Sequence, residues 1–141
     1  IQLEDQLMPK KCGHFAGKAV VSADEMIVKI KAAVDARQHS DFLIIARTDA
    51  RSVLGLNEAL DRAAAYAENG ADMTFVEAPE SVDEMRRIAS ALGCPQIVNV
   101  VIGGKTPALS HQVLTDMGFG LVLYANAALQ GAVRGMTQAL A

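Results

Sequence analysis

The chain has 141 residues, of which 51% are hydrophobic, and its net charge of −3 lacks the basic excess of a nucleic-acid binder. Its longest apolar runs, Phe42–Ala46 and Leu121–Ala125, are far shorter than the roughly 20 residues that a membrane span requires. We therefore expect a globular protein with no nucleic-acid or membrane partner.

The two cysteines, Cys12 and Cys94, are too few for the disulfide framework of a small secreted protein. We therefore expect a reducing, cytoplasmic environment. The sequence begins at Ile1, without an initiator Met or a signal-peptide pattern, and its first residues already have a strand-like pattern. We expect a fragment of a longer protein, with residues 1–141 forming one partial domain.

Short β-type runs alternate with helical patterns along the whole chain, which predicts parallel strands joined by crossover helices. The predicted strands are Ile1–Glu4, Phe42–Arg47, Met73–Glu77, Ile97–Val101 and Leu121–Tyr124. The alternation fits both an open doubly wound sheet and a (β/α)8 barrel, and no glycine-rich dinucleotide fingerprint follows any strand. A complete barrel takes about 250 residues, so five units are compatible with its later five-eighths and not with the whole.

Two predicted helices begin at a serine that is followed three residues later by a glutamate. At Ser22 and Glu25, and again at Ser81 and Glu84, the serine can accept a backbone N–H while the glutamate reaches back to the cap. Two more helices are predicted from apolar residues at helical spacing, over Leu56–Asn69 and Ala128–Leu140.

Cys12 lies in the segment Lys10-Lys11-Cys12-Gly13-His14, which follows the first predicted strand. Positive charges beside a thiol favour its thiolate form, and Gly13 allows the backbone to approach a ligand closely. Such a thiol can move a proton at neutral pH. The alternative is a small residue in a basic surface loop. Cys94, in a Gly-Cys-Pro turn, is predicted to be a passive buried thiol.

Charged and amide side chains stand at the carboxyl ends of the strands, where both candidate folds place their active sites. Arg47 offers a planar fork for a carboxylate or phosphate, and its alternative role is an ion pair with Glu77 or Asp49. Glu77 and Glu4 require a partner or a metal if they are buried. Asn99 can hold a carboxylate oxygen, or it can be a core amide bonded to backbone.

Three blocks of sequence together resemble the isocitrate lyase/phosphoenolpyruvate mutase superfamily. They are Leu3–Gln6, the Lys-Lys-Cys-Gly-His block at residues 10–14, and Ile45–Ala50, in the order typical of that family. The second block is highly specific, and the resemblance spans essentially the whole chain. It implies a (β/α)8 TIM barrel of which this chain forms about strands four to eight with their helices.

The resemblance implies a carbon–carbon lyase that acts on a 2-methylisocitrate-like or substituted malate substrate. The products would be a 2-oxo acid and a dicarboxylate, formed through an enolate intermediate. Cys12 would be the acid that protonates this intermediate, and Gly13 and His14 would line the oxo-acid end of the site. Arg47 would bind a substrate carboxylate with Glu77 as a catalytic neighbour, whereas the other carboxylate would contact Asn99.

The resemblance also implies Mg²⁺ as cofactor, since a metal stabilises developing enolate charge. Glu4 would lie in the outer shell of the metal, whose main ligands in the family are aspartates on earlier strands. Those strands are outside this sequence. Family members are commonly homotetramers, so we expect a homo-oligomer.

Two positions depart from the lyase pattern. Val101 stands two residues after Asn99, where lyase members carry a hydroxyl residue, and Tyr124–Asn126 resembles a phosphonomutase strand end. The alternatives within the superfamily are therefore a carboxyphosphonoenolpyruvate phosphonomutase or an oxaloacetate decarboxylase. An alternative of another class is an inactive truncated half-barrel, because the metal aspartates are missing.

Overall fold

The computed structural model describes all 141 residues. Its strands are β1 (Gln2–Glu4), β2 (Ile45–Thr48), β3 (Met73–Val76), β4 (Gln96–Val101) and β5 (Leu121–Ala125). They form one parallel sheet in the order β1-β2-β3-β4-β5. A doubly wound sheet reverses its strand order at a switch point, whereas a (β/α)8 barrel adds each strand beside the preceding one. The sheet is therefore an arc of a barrel, as predicted.

The start of β2 is the one strand boundary that the sequence placed wrongly by more than one residue. Phe42 and Leu43 were predicted to be strand residues, but they are 51% and 46% exposed. The Phe42 N–H closes a turn on the His39 carbonyl, and the Ile44 N–H binds the Asp72 carboxylate at 2.7 Å. These bonds hold the approach to β2 outside the sheet.

The helices are α1 (Ala23–Ala36), α2 (Arg51–Leu54), α3 (Leu56–Glu68), α4 (Val82–Ala91), α5 (His111–Met117) and α6 (Ala127–Leu140). Both helices predicted from apolar spacing, α3 and α6, lie within one residue of their predicted bounds. The single turn α2 was not predicted, since four residues are too short to show a helical period. None of the helices combines the length and the apolar character that crossing a membrane requires.

Serine side chains cap three helices at their N-termini. The hydroxyl oxygens of Ser22 and Ser81 accept the backbone N–H groups of Glu25 and Glu84, each at 3.1 Å. Ser110 caps α5 in the same way. Each bond satisfies one of the backbone donors that have no partner inside the helix. The predicted helix starts are therefore confirmed.

The expected return bond from each glutamate to its cap is absent. The Glu25 carboxylate instead binds the Lys29 ammonium at 2.8 Å. The Glu84 carboxylate binds the Arg51 guanidinium at 2.8 and 2.9 Å and also accepts the backbone N–H of Glu80, one residue before the cap, at 2.8 Å. Charged donors form stronger hydrogen bonds with a carboxylate than a neutral backbone N–H does. This preference accounts for Glu25, whereas Glu84 combines a cation with the backbone N–H one residue before the cap, so the prediction of a complete capping box was wrong at both helices.

Replacing Ser81 with Ala is expected to lower the free energy of unfolding by about 1 kcal/mol, because one N–H of α4 loses its acceptor. The measurement is the urea midpoint of the full-length protein. Ser90→Ala is the matched control, since Ser90 is exposed in the same helix and donates only to carbonyls of the preceding turn. Equal losses in the two variants would contradict the assignment of Ser81 as a cap.

The core lies mainly between the sheet and the helices on its outer face. One cluster packs Val76, Val98 and Val100 of the sheet against α3, α4 and α5. A second packs Ala46 against Met26 and Ile30 of α1 and Tyr66 of α3. The opposite, concave face carries a smaller cluster, formed by Met73, Phe75 and Ile97. That smaller cluster forms the floor beneath the polar residues described next.

Candidate active site

Side-chain alternation along the strands brings the predicted polar residues to the concave face. Residues two apart in a strand share a face, so Arg47 lies above Ile45, Glu77 above Phe75, and Asn99 above Ile97. The strand register also places these side chains side by side, because Glu4 pairs with Arg47 and Arg47 pairs with Phe75 in neighbouring strands.

A cavity of about 240 Å³ opens at the carboxyl end of these strands. Six of the seven predicted site residues line it, namely Cys12, Gly13, His14, Arg47, Glu77 and Asn99. Val101, Ala125 and Asn126 complete its wall, together with Lys10 and Lys11. The seventh, Glu4, lies beside it, with its carboxylate 3.7 Å from Arg47 Nε. A larger hollow of about 330 Å³, lined by Phe15–Lys18, Ser52, Val53 and Lys105, contains none of the predicted site residues.

Arg47 is the electrostatic centre of this cavity. Its Nε donates to Asp49 Oδ2 at 2.9 Å, its Nη2 donates to Asp49 Oδ1 at 3.1 Å, and its Nη1 lies 3.1 Å from Glu77 Oε2. The guanidinium also lies over the Phe75 ring, 5.3 Å from the centroid. Burial opposes its charge, but the hydrogen bond to Asp49 and the charges of Glu77, Asp49 and Glu4 outweigh burial and raise the pKa of Arg47. The ion pairs with Glu77 and Asp49, given as the alternative role of Arg47, are present, and its binding of a substrate carboxylate stays a prediction.

His14 is held between the loop after β4 and Glu77. Its Nδ1 accepts the backbone N–H of Lys105 at 3.0 Å, which places the proton of the neutral ring on Nε2. Nε2 lies 3.1 Å from Glu77 Oε1, but its N–H is not aligned on that oxygen. His14 therefore presents a free N–H donor to the cavity.

Three buried polar atoms at this cavity have no hydrogen-bond partner: His14 Nε2, Glu77 Oε2 and Asn99 Oδ1. Glu77 Oε2 is within ion-pair distance of Arg47 Nη1, but that contact lacks hydrogen-bond alignment. In the whole chain, just one other buried side-chain atom is unpaired, Thr106 Oγ1. Because buried polar groups are nearly always hydrogen bonded, three orphans around one cavity indicate a site for a polar ligand.

Both non-glycine residues with a positive φ flank this cavity. Ala78, directly after Glu77, has φ 56°, and Asn126, directly after β5, has φ 59°. The left-handed region is uncommon for residues other than glycine, especially for alanine, and such strain clusters at functional sites. The turn at Ala78 ends β3 at the point where Glu77 faces the cavity.

Gly13 packs directly against the Arg47–Glu77 pair. A Cβ at this position would lie 2.5 Å from Arg47 Nη2 and even closer to Glu77 Cγ. The loop therefore approaches the two side chains as closely as only glycine allows.

Replacing Gly13 with Ala is expected to lower the catalytic efficiency of the full-length protein by about tenfold or more, because the loop must move away from Arg47 and Glu77. Steady-state kinetics measures the change. Gly93→Ala is the matched control, since a Cβ there meets nothing within 4 Å. A Gly13→Ala enzyme as efficient as the control would show that the close approach is not needed.

Cys12 is exposed at the rim of the cavity. The lysines beside it bind other groups: Lys10 Nζ lies 2.9 Å from Glu4 Oε1, and Lys11 Nζ donates to the Gly17 carbonyl at 2.7 Å. The role of Cys12 as a proton donor stays a prediction. Cys94 is half-buried, not buried as predicted, because its turn lies at the open amino end of β4.

Asp5 is a buried residue that holds Asp49 in place beside the site, a role that was not predicted from the sequence. It is completely buried and accepts from Thr48 Oγ1 at 2.7 Å, Asp49 N at 2.9 Å, Tyr66 Oη at 2.9 Å and Arg62 Nη1 at 3.2 Å. Burial and the Asp5 charge raise the pKa of Tyr66, so the phenol keeps its proton. A usable signal was present in α3, where Arg62 and Tyr66 are one turn apart on a face otherwise made of alanines.

The family model for phosphoenolpyruvate phosphomutase matches residues 1–141. The chain belongs to this family. The superfamily predicted from the Lys10–His14 segment and its two companion blocks is thereby confirmed.

Relatives of the phosphoenolpyruvate phosphomutase family include both lyases and mutases. The chain is 49% identical over 136 residues to 2,3-dimethylmalate lyase of Eubacterium barkeri, covering 96% of the chain and 47% of the relative. It is 47% identical over 124 residues to 2-methylisocitrate lyase of Aeropyrum pernix, covering 88% and 40%. It is 42% identical over 141 residues to the chloroplastic carboxyvinyl-carboxyphosphonate phosphorylmutase of Arabidopsis thaliana, covering 98% and 42%. The chain thus spans less than half of the length of these relatives.

Solved structures of the family match the fold closely. Oxaloacetate acetylhydrolase in complex with 3,3-difluorooxalacetate superposes with a TM-score of 0.92 at 38% identity, over 99% of this chain and 48% of that one. Phosphonopyruvate hydrolase in complex with oxalate and Mg²⁺ gives a TM-score of 0.76 at 31% identity, over 97% and 47%. The barrel assignment is therefore confirmed, with this chain covering about half of each structure.

The residues of this chain do not form a metal site of their own. No three His, Cys, Asp or Glu side chains come together in a geometry that could hold a metal ion. The Glu4 carboxylate faces Lys10 and Arg47 instead. The assignment of Glu4 to the outer shell of a Mg²⁺ ion stays a prediction.

Proposed function

We propose that the full-length protein carrying this chain is a carbon–carbon lyase that acts on a hydroxy acid of the substituted malate or 2-methylisocitrate class. The observation that carries the proposal is the set of three unpaired buried atoms, His14 Nε2, Glu77 Oε2 and Asn99 Oδ1, around one cavity. Lyases of this kind are found among the relatives at 47–49% identity.

The chemistry of the unpaired atoms favours a hydroxy acid. Glu77 Oε2 and Asn99 Oδ1 are both acceptors, and the single proton of a substrate hydroxyl satisfies one of them. His14 Nε2–H is a donor and suits a carboxylate oxygen. An ionised phosphonate offers acceptors almost exclusively, so it would satisfy His14 but leave the two acceptors unpaired.

In the proposed reaction Glu77 accepts the hydroxyl proton as the carbon–carbon bond breaks. The hydroxyl carbon becomes the carbonyl of a 2-oxo acid, and the bonding electron pair passes to the departing carboxylate fragment as an enolate. Cys12 gives this enolate carbon its proton, which completes the second product. Arg47, already oriented by Asp49, provides the positive charge that binds a substrate carboxylate. Proton exchange with solvent then restores Glu77 and Cys12.

Mg²⁺ is proposed as the cofactor of the full-length protein. Support comes from the related phosphonopyruvate hydrolase, whose structure contains oxalate and Mg²⁺. When bound, a divalent cation stabilises developing enolate charge. Its direct ligands would come from parts of the protein outside these residues.

The second candidate function is that of a carboxyphosphonoenolpyruvate phosphonomutase. Val101 and Asn126 favour it, and both line the cavity. Val101 stands where the lyase pattern carries a hydroxyl residue, and Asn126 belongs to the strand end Tyr124–Asn126 that resembles a phosphonomutase. A relative at 42% identity has a phosphorylmutase name. The third alternative, an inactive half-barrel, is distinguished by the same experiment.

The test incubates the full-length protein and Mg²⁺ separately with 2,3-dimethylmalate, 2-methylisocitrate and carboxyphosphonoenolpyruvate. A 2-oxo acid released from either of the first two acids, and lost on addition of a chelator, supports the lyase. Rearrangement of the third compound alone would replace it with the phosphonomutase. No product from any of the three would favour the inactive half-barrel.

A further inference from the structure

A fully buried lysine joins the Cys12 loop to the sheet. The Lys18 side chain is 1% exposed and the Asp49 side chain 0%, and Lys18 Nζ lies 2.9 Å from Asp49 Oδ1. The same ammonium also donates to the backbone carbonyl of Gly13. Lys18 thus ties the centre of the Cys12–His14 segment to the residue that follows β2.

Asp49 is shared between this lysine and the cavity arginine. Oδ1 accepts from both Lys18 Nζ and Arg47 Nη2, and Oδ2 accepts from Arg47 Nε. Its backbone N–H is fixed by Asp5 at 2.9 Å. Burial opposes ionisation, but the bonds and charges of Arg47 and Lys18 outweigh it and lower the pKa of Asp49. One carboxylate therefore sets the position of two cations.

The other links between the loop and the sheet near Cys12 are weaker. Lys10 Nζ lies 2.9 Å from Glu4 Oε1, but the Lys10 side chain is 59% exposed, and His14 Nε2 lies 3.1 Å from Glu77 Oε1 without hydrogen-bond alignment. Residues 7–12 are exposed, and the Gln6 side chain is bonded only to the backbone of Lys11 within the same loop. The bond between His14 and Lys105 joins it to another exposed loop. Lys18 is the buried charged contact that holds Gly13 against Arg47 and Glu77.

Stability alone does not account for this pair. Replacing a buried ion pair by apolar side chains of similar volume is often neutral or stabilising, because both charges lose their hydration in the interior. An apolar residue at position 18 would fill the same space, but it would leave the Gly13 carbonyl without its donor. The pair therefore fixes geometry at the loop.

We propose that Lys18 is a positioning residue, which holds Cys12 at the cavity through Gly13 and aligns it with Arg47 through their common anchor, Asp49. The proposal rests on the proposed function for the roles of Cys12 and Arg47. Because Arg47 keeps both of its bonds to Asp49 when Lys18 is removed, turnover depends on Lys18 far more than substrate binding does.

The test compares full-length wild type with Lys18→Met, which has similar length and no charge. Hydrogen–deuterium exchange of the loop amides, among them Lys11 and Phe15, is expected to accelerate on the order of tenfold, while β3 stays unchanged. The kcat is expected to fall by about 100-fold, with KM changing less than about threefold, because the reacting groups are misplaced. Lys29→Met, which removes an exposed pair on α1, is the control and should change neither.

A substitution of Asp49 distinguishes the bond to Lys18 from the bonds to Arg47. Asp49→Asn weakens the bonds to both cations, so it is expected to loosen the loop, lower kcat and also raise KM by about tenfold. If Lys18→Met fails to fold, Lys18→Gln takes its place in the exchange measurement. If exchange accelerates uniformly along the chain in both the Lys18 variant and Asp49→Asn, the proposal is overturned, because Lys18 would then support the whole fold.

The proposed lyase activity and the proposed positioning role of Lys18 can be refuted independently of each other. Wild type that releases no 2-oxo acid refutes the lyase, whereas loop exchange still decides whether Lys18 holds the loop. Unchanged loop exchange in Lys18→Met overturns the positioning role whatever the activity. A loosened loop with undiminished kcat in an active enzyme overturns it as well.

Discussion

Replacing Cys12 with Ser is expected to lower the kcat of the full-length protein by about 10²–10⁴-fold, the factor that a positioned proton donor supplies. A serine hydroxyl holds its proton far more tightly than a thiol, so it delivers that proton poorly to the enolate. Cys12 is exposed, and no hydrogen bond of its thiol has to be broken. The urea midpoint of the variant should therefore match that of wild type.

Cys94→Ser is the matched control for this substitution. It makes the same atomic change at a half-buried thiol that does not line the cavity, and the nearby Thr74 and Gln96 side chains can bond to a hydroxyl. Its kcat should remain within about threefold of wild type, as expected for a site away from the chemistry. A Cys12→Ser enzyme that also remains in this range would remove Cys12 from the mechanism.

The sheet could be predicted from the sequence because its signals are local. Each strand is a short apolar run between polar residues, and side-chain alternation then places Arg47, Glu77 and Asn99 on one face. Strand order could not be derived in this way, since a period of apolar residues says nothing about which strands are neighbours. The sequential order in the structure decided between the two candidate folds.

The contacts that hold the site together could not be predicted from local patterns. Lys18 and Asp49 are 31 positions apart, and Asp5 and Tyr66 are 61 apart, so only the folded chain brings them together. The glutamates after Ser22 and Ser81 show a similar limit. Their local pattern predicted a bond to the cap residue, but the Glu25 carboxylate binds Lys29, and the Glu84 carboxylate binds Arg51 together with the backbone N–H of Glu80.

The apolar spacing of α6 correctly predicted a helix but not its surroundings. Leu129, Val133, Met136 and Leu140 lie on that helix and are 51–88% exposed. Helical periodicity indicates that a face will be buried, but it does not identify what covers that face.

Substitution of the buried Asp5 is expected to cause one of the largest losses of stability in this chain. Its two carboxylate oxygens accept from Thr48, Asp49, Arg62 and Tyr66, all inside the protein. Replacing Asp5 with Ala would leave a buried guanidinium without this partner and would orphan three neutral donors. Removing one side of a buried ion pair costs about 3–5 kcal/mol. We expect the free energy of unfolding to fall by that amount, measured from urea unfolding of the full-length protein.

Asp83→Ala tests whether the loss of unfolding free energy in Asp5→Ala is due to the burial of Asp5. Asp83 also pairs with an arginine, Arg86, but its side chain is 88% exposed, and such pairs contribute at most about 1 kcal/mol. Asp5→Asn adds a third point, because it keeps the size of the side chain and an acceptor while removing the charge. Its loss of unfolding free energy should fall between the other two, since Thr48 and Tyr66 retain an acceptor while Arg62 loses one of its two carboxylate partners and keeps Glu58. If Asp5→Ala were no more destabilising than Asp83→Ala, the Asp5 network would not stabilise the fold, and the support it gives to Asp49 would have to come from elsewhere.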